Sequence, residues 1–350
     1  MADQVPKRVV LLPGDGIGPE VTEAAQGVLE AVAPHHQLSL AFQCHAIGGS
    51  AIDAQGNPFP STTAKACQTA DAVFLGAVGG PRWDGGAMRP EAGLLSLRRA
   101  IDTFANLRPV TLFPELEHLS PLKAERVTGT DMLIVRELTG GIYFGDKVEG
   151  EETASDLCRY CAQEIERIAR IAFEAARGRK GRVTSVDKAN VLATSRLWRK
   201  VVSRLHEAEY ADLTLEHVLV DAMAMKLIER PADFDVILTE NMFGDILSDE
   251  ASVLTGSIGL APSASLAETH GGLYEPIHGS APDIAGKGMA NPMAAILSAA
   301  VMLRYAFDCE AAAVQVEAAV RKCLADGVGT KDVGGSHGTS EVIREVIARL

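Results

Sequence analysis

The sequence predicts an α/β fold with a largely parallel sheet, divided into two domains. Short β-branched segments alternate with longer segments whose apolar residues recur every three to four positions, which is typical of strands that alternate with helices. The chain has 350 residues, enough for one large domain or two of ordinary size. Apolar residues make up 47% and charged residues 23%, which excludes a disordered, collagenous or coiled-coil protein.

Most of the predicted strands end where a helix begins. The first strand covers residues 8–12, and the helix after it covers 19–32, with Pro19 at a first helical position that tolerates proline. Further strands are predicted at residues 72–77, 132–136, 183–187, 213–220 and 234–239. The segment 140–150 is too long and too apolar for a simple turn, so we expect an arm with short strands there. Residues 255–278 are rich in Gly, Ala and Ser, which favours loops that another group approaches closely.

The N-terminal segment and the cysteines favour a reducing cytoplasm. Residues 1–16 contain a short apolar run that ends in Pro and Gly, so we expect a first strand and no signal peptide. The longest strongly apolar stretch, residues 293–303, is shorter than the ~20 residues that span a bilayer. Six cysteines are too sparse for a disulfide framework in this chain. Cys158 and Cys161 are predicted to lie on one face of an amphipathic helix, without a second pair to complete a zinc site.

The formal net charge of −13 argues against a protein that binds nucleic acids or anionic membranes through a basic surface. An anionic ligand would need its positive charges gathered locally in a cleft.

Several general motifs fail in this chain. GDGIGPE (14–20) lies between a strand and a helix, but a Rossmann fingerprint needs glycine where Pro19 stands. There is no P-loop sequence, and GGSHG (334–338) has no Asp or His after it to complete a hydrolase triad. The nine histidines are scattered, so a histidine zinc site is not expected.

Ionisable residues follow several predicted strands, at the sheet edge where open α/β proteins bind ligands. They are Arg136, Lys188, Asp221, and the pair Asp245 and Asp249 at the start of a helix. The pair lies four residues apart on one helix face, where like charges repel unless a cation intervenes. Asp221, at a neighbouring strand end, would add a third oxygen, and oxygen donors suit Mg²⁺ or Mn²⁺. The alternative is a set of solvated charges on a hydrated acidic helix face.

Arginines supply the opposite charge. Arg98 and Arg108 lie ten residues apart in an otherwise apolar segment, and Arg136 would join them at the sheet edge. Guanidinium groups match carboxylates bidentately, which lysine does less well. Three arginines with a divalent metal indicate a small substrate that carries two carboxylates. Arg99 is expected to be exposed.

Long stretches of the chain closely resemble the β-decarboxylating dehydrogenases, which form the isocitrate/isopropylmalate dehydrogenase family. These stretches are LLSLRRAIDTFANLRP, RELTGGIYFG, VDKANVL, NMFGDILSDEASVLTGSIGLAPSASL and EPIHGSAPDIAGKGMANP. The resemblance implies the two-domain fold of that family, which is not a Rossmann fold. Residues 1–103 and 256–350 would form one domain, and residues 104–255 the other, with an intersubunit arm at about 137–160.

The resemblance implies NAD-dependent, metal-assisted oxidative decarboxylation of a substituted malate by a homodimer with shared active sites. Apart from Tyr143, which only the resemblance singles out, its catalytic roles fall on residues that the pattern already indicates. The substrate carboxylates would be bound by Arg98, Arg108 and Arg136. The metal would be held by Asp221, Asp245 and Asp249. Lys188, with Asp221 as a relay, would remove the hydroxyl proton, and both would come from the partner subunit. Tyr143 would protonate the enol carbon; the residues alone favour an arm side chain that packs on a neighbour.

An alkyl pocket is also implied by the resemblance. Relatives that act on isocitrate use Ser and Asn where this chain has Ala92 and Leu94. With Leu95 and Val191, these two residues would form an apolar pocket for an isopropyl group, whose burial contributes about 1.5–3 kcal/mol. Glu91 would help to exclude acidic tails, or is simply a surface charge at a helix start. Substrates such as D-malate or tartrate, which also lack a third carboxylate, are the nearest alternative.

The nucleotide would bind to the segment HGSAPDIAGKG and the first loop. The residues implied are Ile17, His278, Gly279, Ser280, Ala281, Asp283, Ile284 and Asn291. Asp283 can accept hydrogen bonds from the ribose hydroxyls and would repel a 2′-phosphate, which predicts NAD and not NADP. Two alternatives from other classes are a catalytically silent regulatory subunit and a metal-dependent lyase. Every catalytic residue type is present, which argues against the silent subunit. A lyase would need no nucleotide, so the HGSAPD segment would have no function in it.

Overall fold

The computed structural model describes residues 5–86, 88–269 and 271–350. The strands in chain order are β1 (Lys7–Gly14), β2 (Leu40–Cys44), β3 (Ala72–Ala77), β4 (Thr103–Thr111), β5 (Asp131–Glu137), β6 (Lys147–Val148), β7 (Ser155–Asp156), β8 (Arg182–Asp187), β9 (Thr214–Leu219), β10 (Val236–Thr239), β11 (Pro262–Ala267) and β12 (Leu273–Pro276). The helices are α1 (Gly18–Val32), α2 (Gly48–Gln55), α3 (Ser61–Thr69), α4 (Glu91–Ala100), α5 (Ala124–Val127), α6 (Ala162–Arg177), α7 (Ala193–Glu209), α8 (Val220–Glu229), α9 (Asn241–Val253), α10 (Met293–Tyr305), α11 (Glu310–Ala325) and α12 (Thr339–Ile347).

The described residues form two compact units. The terminal unit contains the residues up to Thr103 and from Ser257 onward, and the central unit is Phe104–Gly256. In the terminal unit the strand order is β2-β1-β3-β12-β11, parallel except that β11 runs antiparallel to β12. In the central unit the order is β4-β5-β10-β8-β9, parallel except that β4 runs antiparallel to β5. The predicted α/β class with a largely parallel sheet is confirmed.

The terminal unit contains a core helix that is buried on all sides. Every residue of α10 from Met293 to Leu303 is buried. A helix that is apolar all round belongs in a protein core, which accounts for the long apolar stretch in the sequence. Among the described residues, no helix is both long and apolar enough to cross a membrane.

The central unit has its own core, built from β5, β8, β10 and α9. Its buried side chains include Met132, Ile134, Val186, Ile237 and Leu247. Because α9 begins directly after β10, and β10 pairs in parallel with β5, the start of α9 lies at the carboxyl ends of both strands. That edge carries most of the predicted site residues of this unit.

The arm contains the short strands that the sequence predicts. β6 and β7 pair antiparallel, with Lys147 opposite Asp156 and Val148 opposite Ser155. All four residues are exposed.

Two local predictions are wrong. Cys158 and Cys161 do not lie within a helix, because α6 begins only at Ala162. The backbone N–H of Cys161 donates to Glu164 Oε2 at 2.7 Å, a capping interaction that starts the helix one residue later. The segment predicted as loops contains β11 and β12. The small side chains of β11 fit a strand that is largely buried, and all four residues of β12 are buried as well.

Candidate active site

Arg108 and Arg136 lie side by side on adjacent strands of the central unit. The antiparallel register of β4 and β5 places Arg136 opposite Asn106, so Arg108, two residues along, points to the same face of the sheet. Their side chains are only 13% and 8% exposed. Two cations held this close to the interior need anionic partners.

Helix α9 supplies those partners. Arg108 Nη1 donates to Asp249 Oδ1 at 2.7 Å, and Arg136 Nη1 donates to Asp245 Oδ1. The aspartates lie one helical turn apart, so the two ion pairs run side by side. The close approach of helix and strand requires Gly244, where a Cβ would lie 2.7 Å from Arg136 Cγ. The predicted grouping of these arginines with the aspartate pair is therefore present in the structure.

Tyr143 joins this group from the arm. Its hydroxyl donates to Asp245 Oδ2 at 3.0 Å, and the Arg136 guanidinium lies 6.0 Å from the centre of its ring. Burial, with the hydrogen bond to Asp245, raises the pKa of Tyr143. The phenol thus keeps its proton at neutral pH. Because the side chain is 44% exposed, it is also accessible to a ligand.

Lys188 and Asp221 form a second pair in the central unit. They follow the adjacent strands β8 and β9, and Lys188 Nζ donates to Asp221 Oδ1 at 2.7 Å. This hydrogen bond lowers the pKa of Asp221. Behind them, the buried carboxylate of Asp187 accepts two hydrogen bonds from Arg199, at 2.8 and 2.9 Å, which anchors the strand end that carries Lys188.

The three predicted metal ligands are not gathered within one chain. Asp221 does not lie at a strand end next to Asp245, because β8 separates β9 from β10. The two strand ends are thus roughly 9–10 Å apart. Among the described residues, no group of three or more His, Cys, Asp or Glu side chains could hold a metal. Asp245 and Asp249 remain as an oxygen-only pair, which fits Mg²⁺ or Mn²⁺ if further ligands come from substrate, water or another chain.

Arg98 lies in the terminal unit, in the last turn of α4. Its Nη2 donates to Glu275 Oε1 at 2.9 Å. Glu275 is only 8% exposed, and the sequence reasoning missed it. The available signal was a carboxylate within the strand-like stretch LYEP, since a buried carboxylate requires a cation.

The predicted alkyl-pocket residues are largely exposed in the single chain. Glu91 begins α4, and Leu94 and Leu95 follow on the same helix. Leu94 packs partly on the core of the terminal unit, whereas Leu95 is 49% exposed. Val191 belongs to the central unit and is 62% exposed. Leu95 and Val191 are thus available to contact an apolar group.

The predicted nucleotide-binding residues gather in the terminal unit. The Ile17 N–H donates to the Ser280 carbonyl oxygen at 2.8 Å, which joins the first loop to the segment after β12. A Cβ on Gly16 would lie 1.9 Å from that oxygen, so this approach requires glycine. Ala281 has a positive φ of 38°, and its carbonyl accepts from the Ile284 N–H at 3.1 Å. The segment is therefore a series of tight turns.

These turns fit a dinucleotide in three respects. His278 Nε2 is buried and has no hydrogen-bond partner among the residues that the structure describes, and burial lowers the pKa of His278 so that the ring stays neutral. A Cβ on Gly279 would meet open space. Asp283 is exposed, whereas Asn291 is buried and donates to Asp332 at 2.9 Å. A neutral ring, open space and an exposed acceptor suit an adenosine group.

The described residues thus form an α/β protein in which two aspartates of α9 are paired with two largely buried arginines of the adjacent strands. The model of the isocitrate/isopropylmalate dehydrogenase family matches residues 8–346. The chain belongs to this family, as its sequence motifs indicate.

Similar proteins cover nearly the whole chain. A 3-isopropylmalate dehydrogenase from Bacillus licheniformis is 56% identical, covering 98% of this chain and 96% of the relative. One from Streptococcus mutans is 54% identical, covering 98% and 100%. The crystal structure of isocitrate dehydrogenase from Methylococcus capsulatus is similar with a TM-score of 0.85 at 34% identity, covering 98% and 99%. That of a beta-decarboxylating dehydrogenase from Thermococcus kodakarensis, in an apo form, has a TM-score of 0.84 at 37% identity, covering 98% and 96%.

Proposed function

We propose that this protein catalyses the NAD-dependent oxidative decarboxylation of 3-isopropylmalate to 4-methyl-2-oxopentanoate and CO₂, a step of leucine biosynthesis. The observation that carries the proposal is the identity of 53–56% to full-length relatives that bear the name 3-isopropylmalate dehydrogenase. The geometry is consistent with it, because the arginines and aspartates suit a dicarboxylate and a divalent cation.

The substrate is held by its two carboxylates. Arg108 and Arg136 lie on one sheet face, and Arg98 is the third predicted ligand. Each guanidinium already binds a carboxylate of the chain, namely Asp249, Asp245 or Glu275. A substrate carboxylate that replaces one of these partners would keep that guanidinium paired with an anion.

The first step is oxidation of the 2-hydroxyl group. Lys188, acting as the neutral amine, takes the hydroxyl proton at Nζ, and Asp221, hydrogen-bonded to that nitrogen, relays it. The chemistry supplied by the bound groups is acceptance of the C2 hydride by the nicotinamide and polarisation of the 2-oxygen by the cation.

Carbon dioxide then leaves from the carboxylate at C3. Tyr143 donates the proton that C3 receives in its place. Its exposure favours this role, because the donor must reach the substrate, and the phenol holds its proton at neutral pH.

The cation would be Mg²⁺ or Mn²⁺, held by Asp245 and Asp249 of one subunit and by Asp221 of its partner. NAD would bind to the terminal unit at Ile17, His278, Gly279, Ser280, Ala281, Asp283, Ile284 and Asn291. We therefore assign nucleotide binding to residues 1–103 and 256–350, and the metal, the catalytic residues and the subunit contact to residues 104–255.

We also infer a homodimer with shared sites. Lys188 and Asp221 follow β8 and β9, away from the aspartate pair, and a second subunit would supply them to that pair. In addition, apolar side chains are exposed on α8 and α9, namely Met225, Ile228, Ile246 and Val253. Exposed apolar patches of this kind mark protein contacts. All six cysteines are free, which supports the cytoplasm as the location.

An absorbance assay of the reduced nicotinamide tests the function. The purified protein is given 3-isopropylmalate, isocitrate or malate in parallel, with Mg²⁺ and either NAD or NADP. We expect the highest kcat/KM for 3-isopropylmalate with NAD. The proposed burial of the isopropyl group predicts a preference over malate of roughly 10- to 100-fold, since burying a branched alkyl group contributes about 1.5–3 kcal/mol. Equal or better turnover of malate or isocitrate, or a preference for NADP, would contradict the proposal.

A further inference from the structure

Two buried asparagines hold the substrate arginines of the central unit. Asn106 Oδ1 accepts from Arg108 Nε at 3.0 Å. Asn241 Oδ1 accepts from Arg136 Nε at 3.2 Å and from Arg136 Nη2 at 2.8 Å. The asparagines are 2% and 1% exposed. In both cases the amide oxygen engages the Nε side of the guanidinium, while Nη1 points to an aspartate of α9.

We propose that Asn241 is a positioning residue for Arg136, and that Asn106 does the same for Arg108; this rests on the proposed function of both arginines as substrate ligands. A guanidinium is a rigid planar fork on a flexible stem, and it binds a carboxylate bidentately only when its plane is correctly turned. An acceptor at Nε sets that plane before the substrate arrives, so less freedom is lost on binding.

Asn241 is suited to this task because its own amide is fixed. Its Nδ2 donates to the Gly140 carbonyl oxygen at 3.3 Å, which directs Oδ1 to the arginine. Its backbone N–H donates to Tyr160 Oη at 3.0 Å, and that hydroxyl donates to Glu240 Oε2 at 3.2 Å. Asn241 is the first residue of α9, and Gly140 lies at the base of the arm. The asparagine therefore links the orientation of Arg136 to the elements that carry Asp245 and Tyr143.

Substitution of Asn241 should weaken substrate binding selectively. Replacement by leucine, Asn241→Leu, retains most of the volume and removes the acceptor. We expect the Kd of 3-isopropylmalate, measured by calorimetry on the full-length protein with Mg²⁺, to rise roughly 10- to 100-fold, as for loss of hydrogen bonds to a charged group. The Kd of NAD should stay unchanged. Asn241→Asp keeps an oxygen acceptor towards Arg136 and should retain most of the affinity. Asn57→Leu, an exposed position of the terminal unit, serves as the control for the substitution itself.

A double-mutant cycle separates positioning from a general structural role. If Asn241 acts through Arg136, then Asn241→Leu should add almost nothing to the loss caused by Arg136→Lys, which has no Nε–H. The proposal would be overturned by additive losses of substrate affinity in the double variant or by a parallel loss of NAD affinity. It would also be overturned if Asn241→Asp lost as much substrate affinity as Asn241→Leu. If Asn241→Leu does not fold, Asn241→Ser, whose shorter side chain withdraws the acceptor, takes its place in the cycle. If the wild type binds malate but not 3-isopropylmalate, the proposed substrate is wrong, and the same cycle on malate still decides the role of Asn241.

Discussion

Tyr143 of the arm donates a hydrogen bond to Asp245 of α9, with 3.0 Å between its hydroxyl oxygen and Oδ2. The other oxygen of the same carboxylate accepts from Arg136. The proposed proton donor, a proposed metal ligand and a proposed substrate ligand therefore meet at one side chain. This arrangement determines which substitutions separate the steps of the reaction.

Tyr143→Phe should impair the last proton transfer more than the oxidation. Removing a general acid costs roughly 10²- to 10⁴-fold in the step it serves. We expect kcat for formation of 4-methyl-2-oxopentanoate to fall by about that factor, while the Kd of NAD is unchanged. Product formation by mass spectrometry and NADH formation by absorbance are followed together. Tyr305→Phe, in the terminal unit, is the matched control. If the Tyr143 variant formed product as fast as this control, Tyr143 would not be the proton donor.

Lys188→Met should abolish hydride transfer and leave the nucleotide site intact. The variant removes the only proposed base and leaves Asp221 without its 2.7 Å partner, whereas the nucleotide segment belongs to the other unit. NADH formation should drop by roughly 10²- to 10⁴-fold, with an unchanged Kd for NAD. Lys200→Met, at an exposed position of α7, is the control. Full activity of the Lys188 variant would be incompatible with the assignment.

Mixing two inactive variants tests the shared site. Lys188→Met and Asp245→Asn should each be inactive as homodimers. After subunit exchange, a heterodimer has one site with both defects and one with neither, if Lys188 serves the site of the partner. We expect up to about a quarter of wild-type activity, because random exchange yields half heterodimers with one intact site each. Recovery is measured by NADH formation before and after mixing, and a mixture that stays inactive under conditions of proven exchange would argue for sites within one chain.

His217 should make the stability depend on pH. Burial and the neighbouring Arg199 lower its pKa from the usual 6.5, and its Nε2 lies 2.9 Å from Ser203 Oγ. The unfolded chain binds a proton near pH 6.5, whereas the folded chain binds it only at lower pH. The stabilising contribution is therefore complete above pH 6.5 and is lost as the pH falls through that value towards the folded pKa. His278 acts in the same direction, since burial lowers its pKa also.

Urea unfolding at a series of pH values between 5 and 8 measures this effect. We expect the free energy of unfolding to decrease on acidification below about 6.5. The variant His217→Gln should show a smaller decrease than the wild type. If the substitution left the dependence of the unfolding free energy on pH unchanged, another group would be responsible. His118→Gln, at an exposed position, controls for the loss of a histidine.

The sequence by itself determined the local elements and the residue types at strand ends. β3 spans the predicted residues, and Arg136, Lys188 and Asp221 stand at or just after the strands from which they were predicted to emerge. These features depend on contacts between residues close in the chain, which periodicity and turn residues encode directly. The spacing of Asp245 and Asp249 on one helix face follows in the same way.

The tertiary structure alone decided which of these residues meet. It decided that β8 lies between β9 and β10, that Glu275 pairs with Arg98, and that Asn241 holds Arg136. These features depend on strand order and on pairs of residues 105 to 177 positions apart. Strand order is selected by the packing of whole elements, which no short window of sequence contains. The start of α6 shows that periodicity can also mislead locally. The apolar periodicity begins before Cys161, but the helix begins only at Ala162, where the side chain of Glu164 caps the backbone. Contacts between neighbours in the chain thus determine the helices, the strands and the residue types at their ends, whereas the packing of distant elements determines which of these residues contact each other.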